Sequence, residues 1–123
     1  MKFQKLLAAA MSLTAVTATT AATADEVNVY SYRQPFLVEP LFKRFEAETG
    51  TKVNVLFAKK GLVERLKAEG RNSPADLIFT VDIGRLNDVK KAGVTQPVSS
   101  DVLTKTIPPQ YRDPAGNWFA LTT

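Results

Sequence analysis

The chain has 123 residues, with 16 Lys and Arg against 12 Asp and Glu, a formal net charge of +4, and 45% hydrophobic residues. This balance is typical of a globular protein of about one domain and excludes a disordered chain. Because the sequence contains no Cys and no His, it also excludes disulfides, thiol nucleophiles, imidazole metal ligands and a Ser-His-Asp triad within these residues.

Residues 1–24 have the pattern of a secretory signal peptide. Two Lys residues precede an apolar stretch, and an Ala-Thr-Ala cleavage pattern ends at Ala24. The apolar stretch is shorter than the roughly 20 residues that a membrane-spanning helix needs, which disfavours a membrane anchor. We predict cleavage between Ala24 and Asp25 and export to the periplasm. Losing the two Lys residues lowers the net charge of residues 25–123 from +4 to +2. The remaining basic residues are scattered, so we expect no nucleic-acid partner.

Hydrophobic periodicity next predicts strands and helices in strict alternation. Gly50, Gly70 and Gly93 each follow an apolar helical pattern, as expected of helix ends. The predicted elements are a strand, helix, strand, helix, strand and helix at residues 27–32, 35–49, 52–57, 61–69, 76–81 and 83–92. This order with short connections is typical of an α/β fold, with a parallel sheet and helices on both of its faces. The third strand is nearly all apolar, which predicts that both its faces are covered.

After Gly93 the pattern loosens. A short helix is predicted within residues 98–107, and proline, glycine and asparagine at residues 113–117 predict a turn. Residues 118–121 begin another strand-like run, which continues to the last residue without a turn. We therefore expect the sequence to be a piece of a longer protein.

Ligands of parallel sheets bind outside the carboxyl ends of the strands, so the strand-to-helix junctions are the candidate sites. At the first junction, Arg33 can pair with an anion, and Tyr32 or Gln34 can contact a ligand. The alternative is that these are surface polar residues and that Tyr30 belongs to the core. At the second junction, the basic turn 58–61 is either solvated or ligand-binding.

At the third junction, Asp82 is either the N-cap of the third helix or a carboxylate that faces a ligand. Two further acidic residues, Glu64 and Glu69, fall on the second predicted helix. We expect them on its exposed face, where they serve solubility and pairing with residues four positions away.

The sequence resembles the N-terminal lobe of periplasmic iron(III)-binding proteins, the substrate-binding components of ferric ABC importers. The resemblance covers nearly all of residues 1–123 and rests on several segments in order: VNVYSYRQP, TG-x-KVNV, a helix ending in EG, SPADL, VD-x-GRL and WFALTT. It implies a periplasmic-binding-protein-like fold of two α/β lobes around a cleft. Residues 25–123 would then be an incomplete first lobe.

The resemblance also implies which residues meet the cargo. Some relatives place His, or His and Tyr, after the first strand, but Gln34 and Pro35 stand at these positions here. This departure implies that ferric iron is held mainly by tyrosines beyond Thr123, with a bound anion such as carbonate. Arg33 matches the arginine of the family's first turn and is the best candidate for contacting the anion or for supporting the metal ligands from behind. The residues implied to line the cleft are Tyr32, Arg33, Gln34, Asp82 and Arg85, of which Tyr32 alone offers a phenol as a metal ligand.

The sequence thus predicts a monomeric, exported protein that captures ferric iron for an inner-membrane ABC permease and is not an enzyme. One alternative is the same fold with another small cargo, such as an anion, a polyamine or a sugar. A second alternative is an exported α/β hydrolase, which the missing G-x-S-x-G motif disfavours.

Overall fold

The computed structural model describes residues 25–121, and the predicted signal peptide lies outside the described residues. Strands and helices alternate as predicted. A 3₁₀ turn follows the second helix, and a short fourth helix and a second 3₁₀ turn follow the third helix. The elements are β1 (Glu26–Ser31), α1 (Pro35–Thr49), β2 (Lys52–Phe57), α2 (Leu62–Glu69), β3 (Leu77–Phe79), α3 (Ile83–Lys91) and α4 (Asp101–Thr106), with 3₁₀ turns at Gly70–Asn72 and Pro109–Tyr111.

The three strands form one parallel sheet in the order β2-β1-β3. The first strand of the described chain therefore lies in the centre of the sheet. Val29 of β1 pairs with Val55 of β2 and with Leu77 of β3. Because β1 has a neighbour on each side, its Val29 and Ser31 are 1% and 0% exposed, and the core of the sheet is centred on this strand.

Helices α1 and α2 pack on opposite faces of the sheet, as predicted. The ring of Phe79 in β3 meets Phe42 of α1 edge to face, with ring centroids 6.0 Å apart. Tyr30 of β1 points to the other face, where its hydroxyl donates to Glu69 of α2. Helix α1 connects β1 to β2 on one side, and α2 connects β2 to β3 on the other side of β1. Because both crossovers are right-handed, the two helices lie on opposite faces of the sheet.

The third strand differs from its prediction. It covers only three residues instead of residues 76–81, and its first residue, Leu77, is 54% exposed. Asp76 lies before the strand and is tied to Asn28 of β1, whose amide donates to the Asp76 carboxylate at 2.8 Å. The prediction of a strand covered on both faces holds only in part for the described residues, because Leu77 is exposed whereas Ile78 and Phe79 are partly buried.

Helix α1 begins at Pro35 and ends at Gly50, whose φ of 73° lies in the left-handed region that favours glycine. Only part of its apolar surface meets the sheet: Val38 is buried, whereas Leu37 and Leu41 are 54% and 51% exposed. Within residues 25–121, no helix is both long enough and apolar enough to cross a membrane.

The segment after α3 folds back onto that helix. Lys90 of α3 donates to the Asp113 carboxylate at 2.7 Å, and the Trp118 indole donates to Asn87 of α3 at 3.1 Å. Residues 118–121 do not form the predicted strand: Phe119 makes a single antiparallel bridge with Arg112.

Candidate functional site

Polar side chains gather at the carboxyl ends of β1 and β3. These two strands are neighbours, but the chain leaves β1 toward β2 on the opposite side. Such a change of direction opens a crevice outside the strand ends, which is the usual ligand position in doubly wound sheets. Tyr32 and Arg33 follow β1 directly, and Asp82 and Arg85 follow β3, so these four residues lie at neighbouring strand ends.

The Arg33 side chain bridges the two strand ends. Its Nε donates to the Thr80 carbonyl at 3.3 Å and its Nη2 donates to the Val81 carbonyl at 3.2 Å. The Ser31 hydroxyl fixes the turn that carries Arg33, because it accepts from the Arg33 amide and donates to the Arg33 carbonyl. The guanidinium is therefore held at the crevice by the backbone of the neighbouring strand.

Asp82 is the N-cap of α3. Its Oδ1 accepts a hydrogen bond from the Arg85 amide at 2.7 Å, and its Oδ2 lies 3.9 Å from Nε of Arg85. This confirms the capping interpretation of Asp82. The carboxylate is also 58% exposed and lies at the crevice, so capping leaves it within reach of a ligand.

The Tyr32 hydroxyl contacts a different element. It accepts a hydrogen bond from the Val63 amide in the first turn of α2 at 3.0 Å. The Arg85 guanidinium carbon lies 5.7 Å from the centre of the Tyr32 ring, within the range of a cation–π contact. Tyr32 thus lies between α2 and α3, with its oxygen already hydrogen-bonded.

Gln34 is exposed, as are Asp82 and Arg85. It precedes α1, where its backbone carbonyl accepts from the Leu37 amide and its side chain makes no capping hydrogen bond. The structure therefore brings together Tyr32, Arg33, Asp82 and Arg85 and leaves Gln34 on the outer rim. The basic pair Lys59 and Lys60 is exposed at the end of β2.

An apolar groove of about 180 Å³ adjoins these polar residues. It lies between α1 and α3 and reaches the carboxyl end of β3. Leu37 and Leu41 of α1 form one wall, and Ile83 and Leu86 of α3 form the other. Residues 119–121 close one end, and Arg33 and Asp82 lie at its polar margin.

Sequence reasoning missed a hydrogen-bond network on the opposite face of the sheet. Glu69, expected on an exposed helix face, accepts from the buried Tyr30 hydroxyl, from Nε of Arg65 at 2.7 Å and from the Ser73 hydroxyl at 2.7 Å. These donors lower the pKa of Glu69, Arg65 foremost, and the same contact raises the pKa of Arg65. Only the four-residue spacing of Arg65 and Glu69 was visible in the sequence.

The described residues hold few candidates for a metal shell. Between residues 25 and 121, no three Asp or Glu side chains are grouped so that they could hold a metal ion. Of the phenols, Tyr30 is buried against Glu69, and Tyr32 is bound to the amide of α2. Tyr111 belongs to the second 3₁₀ turn. The hydroxyls of Tyr30 and Tyr32 are therefore already hydrogen-bonded to opposite ends of α2.

A parallel sheet with helices on both faces, and with polar side chains at the β1–β3 crevice, defines a ligand-binding α/β lobe. The family described as bacterial extracellular solute-binding protein matches residues 30–123, and the chain belongs to this family.

The relatives confirm the resemblance read from the sequence. Iron uptake protein A1 of Synechocystis is 44% identical over 99 residues, which are 80% of this chain and 28% of that protein. The crystal structure of Mannheimia haemolytica ferric iron-binding protein A, in an open conformation, is 56% identical with a TM-score of 0.75 and covers 78% of this chain and 30% of that one. A Trichodesmium protein in complex with iron and citrate is 45% identical with a TM-score of 0.71, over 76% of this chain and 30% of that one. The chain thus spans less than a third of the length of these relatives.

Proposed function

We propose that this chain is the N-terminal part of an exported protein that captures ferric iron for an ABC importer. The main support is that the chain is similar to iron uptake and ferric iron-binding proteins and also has a crevice at the carboxyl ends of β1 and β3. In this proposal residues 25–123 form part of the first lobe. Closure of two lobes on the cargo needs no catalytic group, so the protein acts by binding alone and is not an enzyme.

The crevice supplies one wall of the binding site rather than the iron ligands. Arg33 is held toward the crevice by two carbonyls, and its charge suits an anion that accompanies iron, such as carbonate or citrate. Ferric iron prefers hard oxygen ligands, which match phenolates and carboxylates. The scattered phenols of the described residues support the view that the main ligands come from the part of the relatives that this chain does not span.

A competition assay with a ferric chelator tests this function. We expect the 123-residue chain to lose iron to the chelator, and a full-length form to keep it and show the phenolate-to-iron charge-transfer colour. Binding of a different cargo, such as a polyamine or a sugar, without iron by the full-length form would favour the alternative cargo. Tight, coloured binding by the short chain would show that this lobe supplies the ligands.

Export is the second part of the proposal. Small residues at the cleavage pattern fit removal of residues 1–24 after Ala24. We expect mass spectrometry of the periplasmic form to show a chain that starts at Asp25. A periplasmic chain that keeps Met1 would contradict cleavage, and a purely cytoplasmic chain would contradict export.

A further inference from the structure

The first turn of α2 lacks a capping side chain of its own. Its N-cap is Gly61, which offers no side-chain oxygen and has a φ of 88°. The amides of the first turn of a helix have no acceptor within the helix, and Ser, Thr, Asp or Asn normally supplies one. Here the acceptor comes from another part of the chain, because the Tyr32 hydroxyl accepts from the Val63 amide at 3.0 Å.

The ring of the same tyrosine contacts α3. The Arg85 guanidinium carbon lies 5.7 Å from the ring centre, and Nε of Arg85 lies 3.9 Å from Oδ2 of Asp82. Arg85 thus contacts both an aromatic ring and a carboxylate. Tyr32 itself is only partly exposed, so its ring cannot move freely away from these contacts.

We propose that Tyr32 is a positioning residue that fixes the first turn of α2 and the Arg85 side chain at the crevice, and that it is not an iron ligand. The statement about iron rests on the proposed function, whereas the statement about position rests on the contacts of Tyr32 alone. Turning the hydroxyl toward a metal in the crevice would leave the Val63 amide without its acceptor, which opposes metal binding by this oxygen.

Amide hydrogen exchange on the 123-residue chain tests whether Tyr32 fixes the first turn of α2. Because Val63 is the second residue of α2, protection of its amide in the wild type reports the Tyr32 contact rather than a helical hydrogen bond. We expect Tyr32→Phe to speed Val63 exchange about fivefold, as for loss of one net hydrogen bond. Tyr111→Phe makes the same chemical change elsewhere and should leave Val63 unchanged.

NMR spectroscopy tests the contact between the Tyr32 ring and Arg85. We expect the ring to shift the NMR resonance of the Arg85 Nε–H, and this shift should persist in Tyr32→Phe and disappear in Tyr32→Leu. An unprotected Val63 amide in the wild type would overturn the proposal even if both variants fail to fold. So would an Arg85 resonance that is the same in the wild type and in Tyr32→Leu.

Iron binding tests the statement that Tyr32 is not an iron ligand. In a full-length form loaded with Fe³⁺, Tyr32→Phe should keep the phenolate-to-iron absorption band of the wild type at the same position. Loss or displacement of that band in Tyr32→Phe would make Tyr32 a ligand and overturn the proposal. A wild type without any band would count against the proposed function instead, and the exchange measurements would still decide the role of Tyr32.

Discussion

Arg33 shows how a residue at the candidate site can serve both structure and ligand. The sequence placed it after a strand and matched it to the arginine of the family's first turn, but it could not show that the guanidinium binds the Thr80 and Val81 carbonyls. Those carbonyls lie 47 and 48 residues away, and no local pattern encodes such a pair. The side chain therefore holds together the two strand ends that form the crevice.

Replacing Arg33 should for this reason affect folding as well as binding. We expect Arg33→Ala to lower the free energy of unfolding by about 1–3 kcal/mol, because a charged donor to two carbonyls is lost. Arg33→Lys should recover only part of this, since an ammonium cannot reproduce the planar fork. Chemical denaturation measures the change, with Arg71→Ala at an exposed turn as the control. Equal stability of the Arg33 and Arg71 variants would show that the bridge contributes nothing.

At the scale of elements, α3 is fastened to the segment that follows it through one buried carboxylate. The Asp113 side chain is 4% exposed and accepts from Lys90 and from the Asn117 amide and side chain. The Lys90 ammonium foremost, with the Asn117 donors, lowers the pKa of Asp113 to about 2, against desolvation that raises it. The turn at 113–117 was predicted from its composition, but its docking onto α3 was not.

This contact makes stability depend on pH in a defined direction. Because the pKa of Asp113 is lower in the folded chain than the usual value near 3.9, its stabilising contribution is present above about pH 4 and is lost as pH falls toward 2. We expect Asp113→Asn to flatten the loss of stability between pH 5 and about 2, as measured by thermal unfolding. Asp88→Asn, an exposed site on α3, should keep the wild-type slope. An identical slope for both variants would contradict this role of Asp113.

The alternation of strands and helices was predictable because glycine positions and apolar periodicity are local signals. Two features were not predictable. The sequence of β3 is as apolar as a covered strand, yet Leu77 is exposed because strand order, not composition, places β3 at the edge. The burial of the aromatic residues of α1 was the second: Phe42 packs against Phe79, whereas Phe36 and Phe45 are 67% and 41% exposed.

For the whole molecule, the apolar groove between α1 and α3 leaves apolar surface of the described residues exposed. Leu37, Leu41 and Leu121 each leave more than half of their surface exposed around it. Apolar surface of this kind binds hydrophobic dyes and favours association. We expect the 123-residue chain to be only marginally stable, since it spans less than a third of its relatives.

The fluorescence of a hydrophobic dye that binds exposed apolar surface tests whether this groove is a binding surface. Leu41→Gln should reduce dye fluorescence with little loss of stability, because Leu41 is 51% exposed and little burial is removed. Val102→Gln on α4 changes an even more exposed side chain outside the groove and should leave the fluorescence unchanged. Equal fluorescence of the wild type and the Leu41 variant would show that the groove is not the site of dye binding.

The central place of β1 also sets the order in which the sheet can assemble. β1 leaves the ribosome before both of its partners, and its β3 pairing joins residues 29–31 to residues 77–79. Every strand contact of the sheet therefore spans a helix, with no hairpin available as a local nucleus, and such high contact order slows folding. Glu26 begins β1 just two residues after Ala24, the last residue of the predicted signal peptide. Slow, non-local assembly leaves the newly made chain unfolded for longer, which suits the proposed export of the polypeptide across a membrane before it folds.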